Sequence, residues 1–188
     1  MTLSLNHISK AFGDKPVLED VSLTLAEGER MGILGPSGGG KTTLLNIIAG
    51  LTPPDSGERQ RPEGRISYVF QEYRLLPWLT AEDNITAVTG CSRAKARTLL
   101  EAMELGNELK SYPGALSGGM KQRISIARAL AFDADLLLMD EPFKGLDPDL
   151  RERVIAQIDA FWGARAILLV THDPAECELM HCTKIMRM

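Results

Sequence analysis

Cysteine is scarce. Only Cys91, Cys177 and Cys182 occur in 188 residues, an odd number with no C-x-x-C spacing. That argues against a disulfide frame or a zinc site and for reduced thiols in a cytosolic compartment. A basic excess is also lacking: the formal net charge is -4. Nucleic-acid binding, which needs cations for phosphates, is therefore not expected. The short basic spots at Arg59, Arg61 and Arg65 read as a solvated loop. No apolar run approaches the ~18 residues that would suggest a spanning helix. The longest, "AILLV" at 166–170, suits a buried strand, and the opening "MTLSLNHISK" has no apolar core of signal-peptide length. The expectation is a chain that does not itself cross a membrane.

What remains is an ordinary globular composition, 44% hydrophobic and 24% charged, long enough for one domain with a real core. Alternating apolar positions predict strands at 3–8 and 21–25, and "MGILG" at 31–35 reads as a buried strand running into glycine. A helix follows from Lys41 to about Ala49, ended by "GLTPPDSG". "ISYVF" at 66–70 is another strand. Thr80, with Asp83 three residues on, marks a helix start. Further helices are expected over 92–103, 119–131 and 148–162, with strands "LLLMD" and "AILLV" between and after the last two, and a short final element. This alternation predicts an α/β fold with a mostly parallel sheet covered by helices and antiparallel strands near the N-terminus. The stretch 80–117 contains no strand and reads as a helical lobe inserted into a core formed by 1–79 and 118–188.

Residues 35–42, "GPSGGGKT", match G-x-x-x-x-G-K-[ST] between a buried strand and a helix, the context that marks a phosphate loop rather than a plain glycine turn. The loop Gly35, Pro36, Ser37, Gly38, Gly39 and Gly40 is the candidate phosphate cradle: its glycines let backbone N–H groups curl inward, and the helix start adds roughly half a positive charge. Lys41 supplies a full charge to the outer phosphates. The Thr42 hydroxyl suits Mg2+, and Thr43 suits a further phosphate contact. "LLLMDEP" at 136–142 is an apolar strand ending in two carboxylates, an arrangement that is costly without a cation or hydrogen bonds. Asp140 is the candidate Mg2+ ligand through a water, and Glu141 the candidate to polarise the attacking water. His172 follows another buried strand and can hydrogen-bond the γ-phosphate, because parallel strands ending together share one crevice. Gln71, after "ISYVF", can complete the Mg2+ shell through its amide oxygen. His7 and His181 have no such context.

A second glycine pair, in "LSGGMKQR" at 116–123, again opens a helix. Ser117 would cap it, with Gly118 and Gly119 leaving N–H groups for another anion. Two anion sites for one phosphate chain are most simply reconciled in trans. Each copy's second pair then closes on the nucleotide held by the other copy, in a head-to-tail dimer.

The ordered set "GPSGGGKT", Gln71, "LSGGMKQR", "LLLMDEP", "GLD" at 145–147 and His172 resembles the ATP-binding cassette (ABC) ATPases over almost the whole chain. The resemblance implies a P-loop NTPase core, ATP and Mg2+ as ligands, and the names Walker A, Q-loop, signature, Walker B, D-loop and H-loop for these segments. It also implies that Phe12 stacks on adenine, a contact worth about 1–3 kcal/mol in nucleic-acid complexes. "VFQEYRLLPWLTAEDNI" looks like the nitrate, sulfonate and taurine importers. In these a membrane permease docks beside the Q-loop and an external solute-binding protein serves the system from outside. That resemblance implies a peripheral position at the cytoplasmic face of the membrane. The apolar cluster Leu75, Leu76, Pro77, Trp78 and Leu79 fits such a docking site. Three departures stand out. The chain ends soon after His172, which implies no regulatory C-terminal domain. Lys144 occupies a D-loop position that is usually small, such as serine. Gly39 replaces a common serine. A soluble ABC ATPase, for example in cofactor assembly, and a nucleotide-binding subunit without turnover are the alternative readings.

Overall fold

The structure is a computed structural model and describes residues 3–60 and 64–188. Arg61 lies outside the described residues. The chain divides into two compact units. One comprises 1–68, 135–140 and 164–188, and the other 69–134 and 141–163.

The first unit holds two sheets. Strands β1 (Leu3–Phe12) and β2 (Lys15–Leu25) form an antiparallel hairpin around Gly13 and Asp14. Strand β4 (Ser56–Gln60) pairs antiparallel with β1 on its other side, giving the order β2-β1-β4. The second sheet has the order β5-β6-β7-β3-β8, with β3 (Arg30–Leu34), β5 (Ile66–Val69), β6 (Leu136–Asp140), β7 (Ala166–Thr171) and β8 (Lys184–Arg187). Here β3 runs parallel to β7 and β8, and β6 runs parallel to β7. Every residue of β6 and β7 is buried, and both are apolar up to their last residues, Asp140 and Thr171, as two-sided coverage requires. Helix α1 (Lys41–Ala49) buries Leu44, Leu45, Ile47 and Ile48 in one apolar cluster with Leu5 and Ile8 of β1, Leu138 of β6 and Leu168 of β7. The expected α/β class with N-terminal antiparallel strands is the observed one.

Two features of this unit were not foreseen. Strand β4 is polar and largely exposed, so no apolar alternation announces it; its backbone pairing with β1 defines it. Arg59, expected in a solvated loop, instead lies on β4 and donates from its guanidinium to the Ile47 carbonyl near the end of α1. A cation there complements the negative end of the helix. The chain closes not on one short element but on two, a helix, α6 (Pro174–Leu179), and then β8.

The second unit is helical: α2 (Ala81–Thr89), α3 (Arg93–Ala102), α4 (Gly118–Ala131) and α5 (Pro148–Trp162), with two single turns of 3-10 helix at Gly106–Glu108 and Pro113–Ala115. The stretch 80–117 falls in this unit together with α4 and α5. Each α-helix here starts on a side-chain cap. Thr80 accepts from Asp83 N, Ser92 from Lys95 N, Ser117 from Met120 N and Asp147 from Leu150 N. Such caps are worth about 1 kcal/mol each. Buried Glu82 accepts from Arg97 Nε of α3 at 3.0 Å and from Lys110 Nζ at 2.7 Å, tying α2 to its neighbours. Among the described residues no helix is long and apolar enough to cross a membrane.

Candidate functional site

Of the six α-helices among the described residues, α1 alone begins without a side-chain cap. Its N-cap is Gly40, in the left-handed region at φ 84°. A Cβ there would lie 2.6 Å from Val17 O and 2.8 Å from Leu18 Cδ2, so no other residue fits without displacing β2. Gly38 has a similar φ of 83° but open space around it. The loop from Gly35 to Gly40 therefore leads into a helix start whose first N–H groups no side chain occupies, which favours an anion. Lys41 is only 6% exposed, and its Nζ donates to Gly35 O and Pro36 O, both at 2.7 Å. Those two carbonyls hold the ammonium against the loop.

The Thr42 hydroxyl donates to Asp140 Oδ2 at 2.7 Å, across 98 residues of sequence. Asp140 is 2% exposed at the end of β6, while Thr42 is exposed. A hydroxyl and a carboxylate meeting beside a phosphate loop are hard oxygen donors, the set that Mg2+ prefers. His172 lies exposed in the turn after β7. That turn is fixed by Thr171, whose hydroxyl donates to the buried Glu176 carboxylate at 2.5 Å and accepts from Asp173 N at 3.0 Å. Phe12 ends β1 and is 55% exposed, so it is not a core residue. Thr43 is half-buried in the first turn of α1, and Ser37 is exposed in the loop.

The second unit carries the remaining candidates. Ser117 is exposed and caps α4, with Gly118 and Gly119 in the first turn. A Cβ on Gly118 would stand 3.0 Å from the Tyr73 hydroxyl, so the Tyr73 side chain lies against the helix start. Gln71 is exposed in the segment after β5. That segment is held to α4 by Arg128, which donates to Tyr73 O at 2.9 Å and Arg74 O at 2.8 Å. Burial of this guanidinium lowers its pKa. Glu141 is buried at φ 46°, a sterically uncommon conformation for a non-glycine residue, and precedes Pro142. Such strain persists where surrounding structure enforces it and gathers at functional sites. Lys144 Nζ lies 4.0 Å from Glu141 Oε2, one helical turn's spacing along the chain.

The sequence profile of the ABC transporter family matches residues 18–144. The chain belongs to this family. The taurine import ATP-binding protein of Escherichia coli O157:H7 is 41% identical to it over 194 residues, covering 95% of this chain and 76% of that protein. An aliphatic sulfonates import ATP-binding protein of Paracoccus denitrificans is 40% identical over 191 residues, with the same coverage of each. Among solved structures, a dimeric ATP-binding cassette in a post-hydrolysis state, bound to ADP and Pi, superposes with a TM-score of 0.83 at 30% identity. That match covers 94% of this chain and 90% of that one. A dimeric bacterial ABC transporter cassette gives 0.84 at 31% identity with equal coverage. The protein is thus an ATP-binding, ATP-hydrolysing cassette of the ABC family.

Several supporting residues of this ABC cassette escaped the sequence reading. Asn84, fully buried, accepts from Leu76 N at 2.7 Å and donates to Leu76 O, Leu79 O and Thr80 O at 3.0–3.1 Å. It fixes the loop that presents Trp78, which is 68% exposed. Asp55 and Arg128 likewise act on backbone groups 44 to 55 residues away. Nothing local in the sequence marks such partners.

Proposed function

We propose that this chain is the ATP-hydrolysing subunit of an importer for small sulfonates of the taurine type. The observation that carries the reading is the 2.7 Å Thr42–Asp140 contact at the foot of the one helix that, among the described residues, lacks a side-chain cap. It joins the phosphate loop to the acidic strand end within one unit. The names of the relatives at about 40% identity support import and the sulfonate class. The dimeric cassettes it resembles support a dimer.

In this reading Phe12 stacks on adenine. Gly35, Pro36, Ser37, Gly38, Gly39 and Gly40 turn their backbone toward the phosphates, and Thr43 adds a contact. Lys41, oriented by its two carbonyl partners, directs its remaining hydrogen at the outer phosphates. Thr42, Asp140 and Gln71 hold Mg2+, and their oxygen donors fit that ion. When bound, the ion neutralises phosphate charge. The Glu141 carboxylate accepts a hydrogen bond from the attacking water and draws off its proton, while His172 hydrogen-bonds the γ-phosphate. General-base assistance of this kind is worth about 10²–10⁴-fold. Ser117, Gly118 and Gly119 act in trans on the nucleotide of a second copy. ATP favours the closed dimer only through its higher affinity for that state. Closure reaches a membrane permease through the loop with Leu75, Leu76, Pro77, Trp78 and Leu79, held by Asn84. The subunit then sits at the cytoplasmic face of the membrane, and a solute-binding protein outside delivers the cargo.

Glu141→Gln keeps the shape of the side chain and removes its basicity. ATP affinity, read by calorimetry, stays within about twofold, since the change spares the phosphate loop. Turnover falls about 10²–10⁴-fold, and light scattering detects an ATP-dependent dimer. Hydrolysis at the wild-type rate would remove Glu141 from this role.

A further inference from the structure

Lysine side chains are almost never fully buried unless paired. That of Lys10, on β1, is only 12% exposed. Its Nζ is held by Asp55 Oδ1 at 2.6 Å and lies over the Phe12 ring, 5.6 Å from the centroid. The same carboxylate accepts from Ala11 N through Oδ2 at 2.7 Å, and Asp55 N donates to Ser9 O at 2.9 Å. Asp55 therefore ties down three consecutive residues, Ser9, Lys10 and Ala11, just before Phe12. The brace falls where β1 needs one. Pairing of β1 with β4 ends at Ser9 opposite Ser56, and the register with β2 shifts on both sides of Lys10. The Lys10 ammonium and the Ala11 N–H hold the Asp55 carboxyl below its ordinary range, so it stays ionised. Phe12 itself ends the strand, paired with Lys15 across the two-residue turn.

We propose that Lys10, clamped by Asp55, is a positioning residue that backs one face of the Phe12 ring and leaves the opposite face to stack on the nucleobase. The inference rests on the reading of Phe12 as the base platform and adds what fixes it. Carboxylate, ammonium, ring and base then form one column. The cation is drawn to the ring by its quadrupole, and it restricts a side chain that would otherwise turn freely at the tip of a hairpin. The base meets a ring already oriented.

The test compares binding of ADP, which carries a base, with inorganic pyrophosphate, which does not, both by calorimetry. Phe12→Ala weakens ADP and spares pyrophosphate, as the platform requires. Lys10→Met keeps the aliphatic stem but removes the cation, and weakens ADP about three- to tenfold while leaving pyrophosphate unchanged. Asp55→Asn does the same in part, and Lys10→Arg restores most of the ADP affinity. Thermal melts confirm that each variant is folded, and Lys10→Met keeps the Asp55–Ala11 bond if Asp55→Asn disturbs the hairpin. Equal losses of ADP and pyrophosphate in Lys10→Met would overturn the proposal, because the cation would then serve the phosphates. Wild-type ADP affinity in Lys10→Met beside a weakened Phe12→Ala would overturn the buttress and leave the platform. Wild-type affinity in Phe12→Ala would overturn both.

Discussion

Gly38 and Gly40 share a left-handed backbone, at φ 83° and 84°, yet their surroundings separate them. A Cβ on Gly38 would meet nothing, while one on Gly40 would collide with Val17 O and Leu18 Cδ2. Gly38→Ala therefore costs only the backbone penalty of about 1–2 kcal/mol. Gly40→Ala adds displacement of β2 at the start of α1, and overpacking of this kind costs about 1–3 kcal/mol more. Urea denaturation of the two variants measures the difference. ADP affinity falls further in Gly40→Ala, because the shifted residue is the helix N-cap. Glu141 reverses the lesson. It adopts φ 46° with a full side chain and a proline after it, so its conformation is enforced rather than permitted. The carboxylate chemistry of "DEP" is readable from sequence, and this strain is not.

At the scale of elements, legibility follows the distance of the partner along the chain. Thr80, Ser92, Ser117 and Asp147 cap helices by bonding an N–H three residues ahead, so their pattern is local and readable. The runs "LLLM" at 136–139 and "AILLV" at 166–170 announce buried strands by apolar continuity alone. Strand β4 escapes because it is exposed and polar, with only its pairing to β1 to define it. Arg128 escapes because its acceptors are backbone carbonyls, which every residue carries alike. This staple joins the segment of Gln71 to the helix that Ser117 begins, and Arg74 beside it stands at φ 46°. Arg128→Met keeps the volume but leaves Tyr73 O and Arg74 O without this donor, a loss of about 1–3 kcal/mol. Amide hydrogen exchange then speeds at 71–75 relative to α3. ATP turnover falls, while ADP binding, centred on the loop of Lys41, holds. Unchanged exchange at 71–75 would show that the segment is fixed by other contacts.

At the scale of the whole molecule, the question is why one chain carries glycines at two helix starts, one uncapped at Gly40 and one capped by Ser117. If the second acts in trans, each reaction chamber takes its loop from one copy and its Ser117–Gly119 segment from the other. Mixing two inactive variants separates this from action in cis. Lys41→Ala removes the cation from the loop, and Ser117→Arg places a bulky side chain at the second helix start, so neither homodimer turns over ATP. In a mixed dimer both lesions fall in one chamber, and the other combines an intact Lys41 with an intact Ser117. Random pairing of equal amounts puts half of the chains in mixed dimers, so activity returns to about a quarter of the wild-type rate if the two chambers of a two-fold assembly work independently. Action in cis leaves every chain with one lesion in its own chamber and restores nothing. Dilution gives the second reading of the same claim. Well below the dimer dissociation constant, the dimer fraction scales with concentration, so tenfold dilution lowers the rate per chain about tenfold. A mixture that stays inactive, together with a rate per chain indifferent to dilution, would mean that the glycine pair at 118–119 serves its own nucleotide.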